Sequence, residues 1–303
     1  MLAAMDRIPN TLQKSVDLAL ETGNNMGISA IDFTETLEWL EEDLQLEVND
    51  EKARIPLDEV DKNILYTLNP REPKFFPLSI TAMAKIFWAA GESWTISTKM
   101  YDITNYAYYT GNPKEAGIIT QRLFDEMDIL RAQRCVLAEC GHGSRAFRWE
   151  GPNYIQKAYP FEVLTSVELI FQYLRNGRIK VDPEKNPDLT TLHDPCNLVR
   201  SGGVLKQQRE ILKMCVSQFV EMNPCGNDNL CCGGGGGQLA MSEYNERRIK
   251  IAKLKAEQIK ATGAKVVVTP CHNCVDQLTQ INITYKLGIQ IKTIAEIVAD
   301  AIV

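Results

Sequence analysis

Five cysteines in the second half of the chain constrain its fold more than any other feature. They follow the pattern C-x34-C-C-x38-C-x-x-C and are Cys196, Cys231, Cys232, Cys271 and Cys274. The spacing predicts each group at the end of a strand or the start of a helix, where a positive dipole and free amide groups stabilise anionic sulfur. Thiolates gathered at the carboxyl ends of parallel strands suit a metal site.

Glycines at positions 233–237 directly follow the adjacent pair Cys231 and Cys232. Two neighbouring cysteines reach a common centre only with unusual backbone torsions, which glycine tolerates while letting amide groups approach sulfur closely. The residues assigned to this cofactor-binding loop are Gly233, Gly234 and Gly235. A phosphate-binding loop is disfavoured because Gln238 interrupts the G-x-G-x-x-G pattern and no Lys-Ser or Lys-Thr pair follows.

Zinc is the main rival for this cysteine set, because C-x-x-C is a common zinc half-site and four thiolates make a closed tetrahedral centre. Five thiolates exceed that number, and they also exceed the four ligands of a cubane iron-sulfur cluster. An open, non-cubane cluster accounts for the count more directly. The alternative that cysteines pack as small apolar residues suits Cys135 and Cys215, whereas Cys225 stays unassigned.

All three histidines of the chain lie near cysteines. His142 follows Cys140 by two positions, and His193 precedes Cys196 by three. His272 lies inside the C-x-x-C pair. Each is either a strand-end residue bonded to backbone or a proton donor to a sulfur leaving group. Cys140 is either an additional thiol of the site or the remnant of a lost one, and the candidate catalytic residues are Cys140, His142, His193 and His272.

Charge and hydropathy exclude several classes of function. The 303 residues carry a formal net charge of -6, so the chain offers no basic surface of the kind that nucleic acid requires. No apolar run approaches the roughly 18 residues that span a bilayer, which excludes direct membrane insertion. The N-terminus lacks the pattern of a secretory signal. We therefore expect a cytoplasmic protein, peripheral to the inner membrane only through a partner, whose nine cysteines serve metal or redox chemistry.

The apolar pattern predicts an α/β fold. Short apolar runs, such as residues 64–68 and 135–138, alternate with longer amphipathic ones, such as residues 80–90. The sequence at 136–143 aligns with that at 267–274, strand on strand and cysteine on cysteine. This internal similarity indicates two related halves.

A helical lead-in precedes the two halves. The pattern predicts one helix over residues 11–22 and a second that Asp32 caps. The acidic stretch 35–51 is a solvated helix face or, as the alternative, a docking surface. The expected domains are the lead-in at 1–58, a cysteine-depleted half at 59–180 and a cysteine-complete half at 181–303.

The cysteine spacing closely resembles the CCG domain of heterodisulfide reductase catalytic subunits. The resemblance covers roughly residues 60–303 and rests on H-D-P-C at 193–196, C-C-G at 231–233 and P-C-H-N-C at 270–274. It implies two Rossmann-like α/β halves, of the CCG type, whose cysteines hold one non-cubane [4Fe-4S] cluster. It also implies that this cluster reduces disulfides.

Within that family, C-G-H-G-S at 140–144 together with the glycine run is most similar to DsrK-type subunits of the sulfite-reduction-associated membrane complex. This similarity implies a disulfide or trisulfide of a small sulfur-carrier protein, or a small-molecule disulfide, as substrate. It implies a ferredoxin-type or haem b membrane subunit as electron donor. Such subunits usually carry an N-terminal ferredoxin-like domain, whereas the first cysteine here is Cys135. The chain is therefore expected to be a fragment or a stand-alone version that takes electrons from another subunit.

Three functions remain open from the sequence. The first is an iron-sulfur oxidoreductase that reduces a disulfide or trisulfide in sulfur metabolism, active only with an electron-donor partner. The second is a cluster-relay subunit of a quinone-linked dehydrogenase of lactate, glycolate or glycerol phosphate. The third is a structural zinc-binding scaffold.

Overall fold

The structure is a computed structural model that describes residue 5 and residues 7–303. It divides the chain into two compact units, one made of Met1–Ala138 and His142–Ser166 and the other of Glu139–Gly141 and Val167–Val303. Each unit has its own four-stranded parallel sheet, which confirms the predicted α/β class with two Rossmann-like halves. In the described residues, no helix combines the length and the apolar character that crossing a membrane requires.

Two helices open the first unit. α1 (Asn10–Thr22) ends at Gly23, which adopts the left-handed conformation that a helix C-terminus favours. α2 (Ala30–Val48) begins earlier than the sequence indicated, because Ser29 rather than Asp32 caps it. The Ser29 hydroxyl accepts the amide of Asp32 at 3.1 Å, so the carboxylate lies in the first helical turn, where it complements the helix dipole.

The first sheet has the strand order β2-β1-β3-β4. Its strands and the helices that connect them are β1 (Ile64–Thr67), α3 (Arg71–Phe75), α4 (Leu78–Ala90), β2 (Trp94–Thr95), α5 (Ala107–Thr110), α6 (Pro113–Leu130), β3 (Arg134–Leu137), α7 (Gly141–Gly143), α8 (Gly151–Ile155) and β4 (Glu162–Thr165). A π-helical turn, Ser144–Trp149, follows α7. All four residues of β1 are buried, as its continuous apolar sequence predicts for a central parallel strand.

The second sheet repeats this order as β6-β5-β7-β8. The elements of this part of the chain are α9 (Ser166–Arg175), β5 (Thr190–Leu192), α10 (Lys206–Cys215), β6 (Phe219–Val220), α11 (Asn245–Ile251), α12 (Lys253–Thr262), β7 (Val266–Val268), α13 (His272–Tyr285), β8 (Gln290–Lys292) and α14 (Ile294–Ala301). The buried residues Ala256, Ile259, Leu278 and Ile281 pack in one cluster with three of the cysteines. The core of this unit therefore continues directly into the group of cysteines.

The apolar spacing of the sequence predicts one helical stripe through Ile249, Ala252, Ala256 and Ile259 that ends at Gly263, but the structure divides it between two helices. α11 ends at Ile251 and α12 begins at Lys253, and no glycine or proline marks the break. Gly263 ends α12 in the left-handed conformation, as the sequence indicated.

Candidate metal centre

The segment that follows β5 brings the first cysteine into place. His193, Asp194 and Pro195 lead from the strand into a turn that contains Cys196. The Asp194 side chain is buried and accepts two hydrogen bonds from the Arg209 guanidinium, each 2.8 Å long. This buried ion pair fixes the turn against α10.

Asp194 also holds the loop that carries the adjacent cysteines. Its carboxylate accepts the Gly226 amide at 2.6 Å and the Gln208 side chain, also at 2.6 Å. Its backbone carbonyl accepts the Asn229 side chain at 2.7 Å. One residue, two positions before Cys196, thus ties that cysteine to the segment that leads into Cys231 and Cys232.

Cys231 and Cys232 lie in an irregular loop and not at a strand end or a helix start, which corrects the expectation for these two residues. The glycine run that follows this pair disfavours both a helix and a strand. The Gly233 amide donates to Cys231 Sγ at 3.3 Å, and the Gly234 amide donates to Cys232 Sγ at 3.5 Å. Backbone amides of this loop therefore donate hydrogen bonds to both sulfurs, as anionic sulfur requires.

Two glycines of the loop are required by geometry and a third is not. Gly233 has a φ of +89°, in the left-handed region that favours glycine. A Cβ on Gly234 would lie 2.8 Å from Gln277 Cβ and 3.0 Å from the Asn273 carbonyl oxygen, closer than side chains pack. Nothing lies within 4 Å of a Cβ at Gly235.

The C-x-x-C pair opens α13. Cys271 is its N-cap and Cys274 lies in its first turn, so the helix N-terminus points its free amides at this region. The thiols of Cys274 and Cys232 approach to 3.2 Å. Hydrogen bonds from the Cys274 thiol and from the amides of Gly141, Cys274 and Asn273 lower the pKa of Cys271 to about 7.

The five thiols form one continuous series of contacts. The Cys232–Cys274 contact is the central one, and the pKa shifts show that Cys196 also interacts with Cys231, Cys231 with Cys232, and Cys274 with Cys271. The Cys196 thiol donates to Cys231, which holds the pKa of Cys231 far below its usual range, whereas the same contact raises the pKa of Cys196. The structure therefore brings together every residue predicted as a metal ligand. The pKa values of Cys231 and Cys271 are lowered, which favours the deprotonated sulfur that binds metal, whereas those of Cys196, Cys232 and Cys274 are raised by the neighbouring thiols and by burial.

His193 lies within this array. Its nearest ring nitrogen and the Sγ atoms of Cys232 and Cys274 all lie within 4.8 Å of one another. The side chain is 1% exposed, and among the described residues neither ring nitrogen has a hydrogen-bond partner. Burial, reinforced by the charge of Lys255, lowers the pKa of His193 well below its usual value, so the imidazole is neutral at pH 7.

His272 makes the backbone contacts that were the alternative to a catalytic role. Its amide donates to the Glu139 carbonyl at 2.8 Å, and its Nδ1 lies 3.0 Å from the same oxygen. The Glu139 carboxylate in turn accepts the Ile294 amide at 2.9 Å. These bonds hold the segment Glu139–Gly141 in the second unit, where the Gly141 amide donates to Cys271 Sγ.

The remaining two candidate residues, Cys140 and His142, lie in different units. Cys140 is buried and belongs to the second unit with its neighbour Gly141. His142 belongs to the first unit, where its ring stacks on Tyr109 with the centroids 4.3 Å apart and the planes inclined by 23°. Burial lowers the pKa of His142 to about 3.

Lys255 is a residue of the site that sequence reasoning missed. Its side chain is 1% exposed, and burial lowers its pKa to about 8 against the attraction of the Cys232, Cys274 and Cys231 thiols. The available signal was its position: it lies three residues after Ala252 and next to Ala256, in the stripe predicted to be buried. A lysine at a buried helical position is rare enough to indicate a charged neighbour.

The fold and thiol array agree with the comparison of this chain with known protein families. Residues 190–279, which contain β5, β7 and all five clustered cysteines, match the model of one family. That family is CCG, the cysteine-rich domain. The predicted resemblance to CCG proteins is thereby confirmed.

Several curated proteins that this chain is similar to are named as redox proteins. One subunit of the dihydromethanophenazine:CoB–CoM heterodisulfide reductase of Methanosarcina mazei is 29% identical over 168 residues, 55% of this chain and 40% of the relative. The Hdr-like menaquinol oxidoreductase iron-sulfur subunit of Archaeoglobus profundus is 28% identical over 45% of this chain and 26% of the relative. The EtfAB:quinone oxidoreductase of Syntrophomonas wolfei is 27% identical over 47% of this chain and 20% of the relative. The matched region thus spans less than half of each relative.

Among solved structures, glutamate racemase isoform RacE1 from Bacillus anthracis is similar over 82% of this chain and 79% of that one. Its identity is 12% and its TM-score 0.37, values too low to bear on fold or function.

The residues present fit an iron-sulfur cluster. The five thiols form a series, none of them is in a disulfide, and backbone amides donate to two of the sulfurs. Cys232, Cys271 and Cys274 are buried, Cys196 is half-buried and Cys231 is exposed, so the set offers anionic ligands at the edge of the core. A four-thiolate zinc site would leave one of these thiols without a role. The CCG match and the relatives support iron-sulfur binding in an oxidoreductase.

Proposed function

We propose that the chain binds one non-cubane [4Fe-4S] cluster through Cys196, Cys231, Cys232, Cys271 and Cys274, and that it reduces a disulfide or trisulfide. The single observation that supports this most strongly is the continuous thiol series, five sulfurs long, within a matched CCG domain. The similarity to a heterodisulfide reductase favours a sulfur-sulfur bond as the target. When bound, the cluster would supply single electrons and an iron site for one sulfur of the substrate.

The protein's own residues would set the conditions for that chemistry. The amides of Gly233 and Gly234 hydrogen-bond the paired cysteines and so fix their sulfurs. His193 occupies the thiol array with both ring nitrogens unused by the described residues; since burial keeps it neutral, it would first take up a proton as negative charge develops at the sulfurs and then pass it to a leaving thiolate. Cys140, His142 and His272 are the further candidates for catalysis, with Nδ1 of His272 held by the Glu139 carbonyl.

The electron donor would be another protein. We propose a ferredoxin-type or haem b membrane subunit, since the glycine run lacks a dinucleotide fingerprint and relatives are named as subunits of larger enzymes. The substrate would be a small sulfur-carrier protein or a small-molecule disulfide. The chain would then work in the cytoplasm, at the inner membrane through its partner.

A second candidate function is electron relay without substrate chemistry. The names of two relatives, a menaquinol oxidoreductase iron-sulfur subunit and an EtfAB:quinone oxidoreductase, favour it. In that case the cluster would pass electrons toward or from a quinone, and no disulfide would bind.

The test begins with protein purified without oxygen. The proposal expects iron and acid-labile sulfide in near-equal amounts, about four of each per chain for one [4Fe-4S] cluster. Stoichiometric zinc without sulfide would contradict it. Protein reduced with a viologen is then mixed with a disulfide or trisulfide. If the protein is reoxidised and thiol is released, the result supports the disulfide reductase function. If it is reoxidised only by a quinone in the presence of a partner, the result supports the electron-relay function. Turnover with NADH alone would contradict the proposed donor.

A further inference from the structure

Lys255 is a buried cation that has no acidic partner. The residue lies on α12 in the second unit and is 1% exposed. Its Nζ donates to Gln258 Oε1, one helical turn on, and lies 3.8 Å from Met222 Sδ. In the part of the chain that the structure describes, no carboxylate lies within ion-pair distance of this nitrogen.

The contacts of Lys255 hold its amine in place. Gln258, which accepts from it, donates from its own Nε2 to the Pro224 carbonyl at 2.6 Å. Met222 is itself buried and packs in the same cluster as Cys232, Cys271 and Cys274. The amine is therefore fixed in the core beside the thiol array and does not extend to solvent.

The carboxylate that most attracts Lys255 is already in use. Asp194 binds the Arg209 guanidinium with both oxygens and also accepts Gln208 and the Gly226 amide. The groups that attract Lys255 more strongly are the thiols of Cys232, Cys274 and Cys231. A buried ammonium without a paired anion is strongly unfavourable, so the folded protein needs negative charge at those sulfurs.

We propose that Lys255 is the counter-charge of the metal centre and that its fixed ammonium raises the reduction potential of the bound cluster. The inference rests on the proposed function in one respect, the identity of the centre as an iron-sulfur cluster. Reduction adds one negative charge to a centre that is already anionic through its thiolates. A positive charge held in a low-dielectric core stabilises the reduced form more than the oxidised form.

The experiment compares two lysines of one helix. Lys255→Met keeps the length of the buried side chain and removes its charge, whereas Lys253→Met makes the same change at a side chain that is 68% exposed. Both variants are purified without oxygen and analysed for iron and sulfide. Their potentials are then measured by redox titration followed by electron paramagnetic resonance.

We expect Lys255→Met to hold its cluster at a lower potential, with the reduction equilibrium shifted at least tenfold, about 59 mV for a one-electron couple. Lys253→Met should have the same iron content and the same reduction potential as the wild type. Lys255→Met protein with a full cluster at an unchanged potential would overturn the proposal. If the Lys255→Met variant loses its iron, the iron content of Lys255→Arg decides between the outcomes. Iron retained in Lys255→Arg supports the counter-charge role, and iron lost in that variant too overturns it. Wild-type protein with zinc and no sulfide would instead reject the proposed function.

Discussion

The two units share one sheet topology but use the end of the same strand differently. β1 and β5 occupy the same position in their sheets, and the residues that follow are Leu68-Asn69-Pro70-Arg71 in the first unit and His193-Asp194-Pro195-Cys196 in the second. After β1, Asn69 closes a local turn, because its amide donates to Glu72 at 2.7 Å and its side chain accepts the Arg71 amide at 3.0 Å.

After β5, the corresponding Asp194 bonds to distant groups. It binds Arg209 on α10, and it also binds Gly226 and Asn229 in a loop that lies more than thirty residues further along the chain. The difference teaches that the fold alone does not create the site. A strand end takes part in a cluster of cysteines where its polar residue organises a distant cysteine loop and does not close on its own turn.

The largest expected effect is loss of the centre from the second unit. Cys232→Ala removes a sulfur from the middle of the thiol series, between Cys231 and Cys274, so the variant should lose most of its iron and sulfide. Cys225→Ala is the matched control, since Cys225 lies in the same unit and has no place in the series. Iron and sulfide are measured in both variants after purification without oxygen. Cys232→Ala protein with full iron content would show that the thiol series does not hold the metal.

Much of the site could be predicted because its spacing is chemically unusual. Adjacent cysteines before five glycines have few roles other than metal binding, and the short apolar runs at 64–68 and 135–138 located β1 and β3. What the sequence did not reveal depends on tertiary contacts. Lysine normally extends to solvent, so the burial of Lys255 follows only from packing around the thiols. The cap of α2 at Ser29 and the break at Ala252 are choices between local alternatives of similar energy.

The second prediction concerns the strand-end residues themselves. Asp194→Asn removes the buried carboxylate charge and its ion pair with the Arg209 guanidinium, which keeps two hydrogen bonds to Glu221. The expected cost is about 1.5–3 kcal/mol of unfolding free energy, together with loss of iron as the cysteine loop loosens. Urea unfolding of the protein measures it. The reciprocal change in the first unit, Asn69→Asp, should leave iron content as it is; iron loss there would remove the contrast between the two strand ends.

The third prediction tests His142, which follows β3 in the first unit. Its folded pKa is lowered to about 3 by burial, so it stays neutral while the unfolded chain takes up a proton near pH 6.5. The stability that the protein gains while His142 is neutral in both states is therefore fully present above pH 6.5. It is lost progressively as the pH falls toward 3, because the unfolded chain binds the extra proton. Between pH 7 and pH 5 this amounts to about 2 kcal/mol.

The variant that isolates this effect is His142→Phe, because phenylalanine keeps an aromatic ring against Tyr109 and cannot titrate. Urea unfolding at pH 7 and pH 5 should show a smaller loss of stability in the variant than in the wild type. Equal losses would mean that His142 protonates in the folded protein, as the proton-donating role proposed for it would require.

The smallest effect separates two neighbouring glycines of the cysteine loop. Gly234→Ala places a Cβ 2.8 Å from Gln277 Cβ and 3.0 Å from the Asn273 carbonyl, so α13 or the loop must shift, at a cost of about 1 kcal/mol or more. Gly235→Ala meets nothing within 4 Å and has no positive φ, so it should be neutral or stabilise by about 0.4–1 kcal/mol through the unfolded chain. Thermal unfolding compares the two. Because Gly234 also donates its amide to Cys232, its variant should release iron to a chelator faster than Gly235→Ala. Equal behaviour of both variants would mean that the loop adapts freely, and the close packing of loop and helix would then not be what holds the cysteines in the second unit.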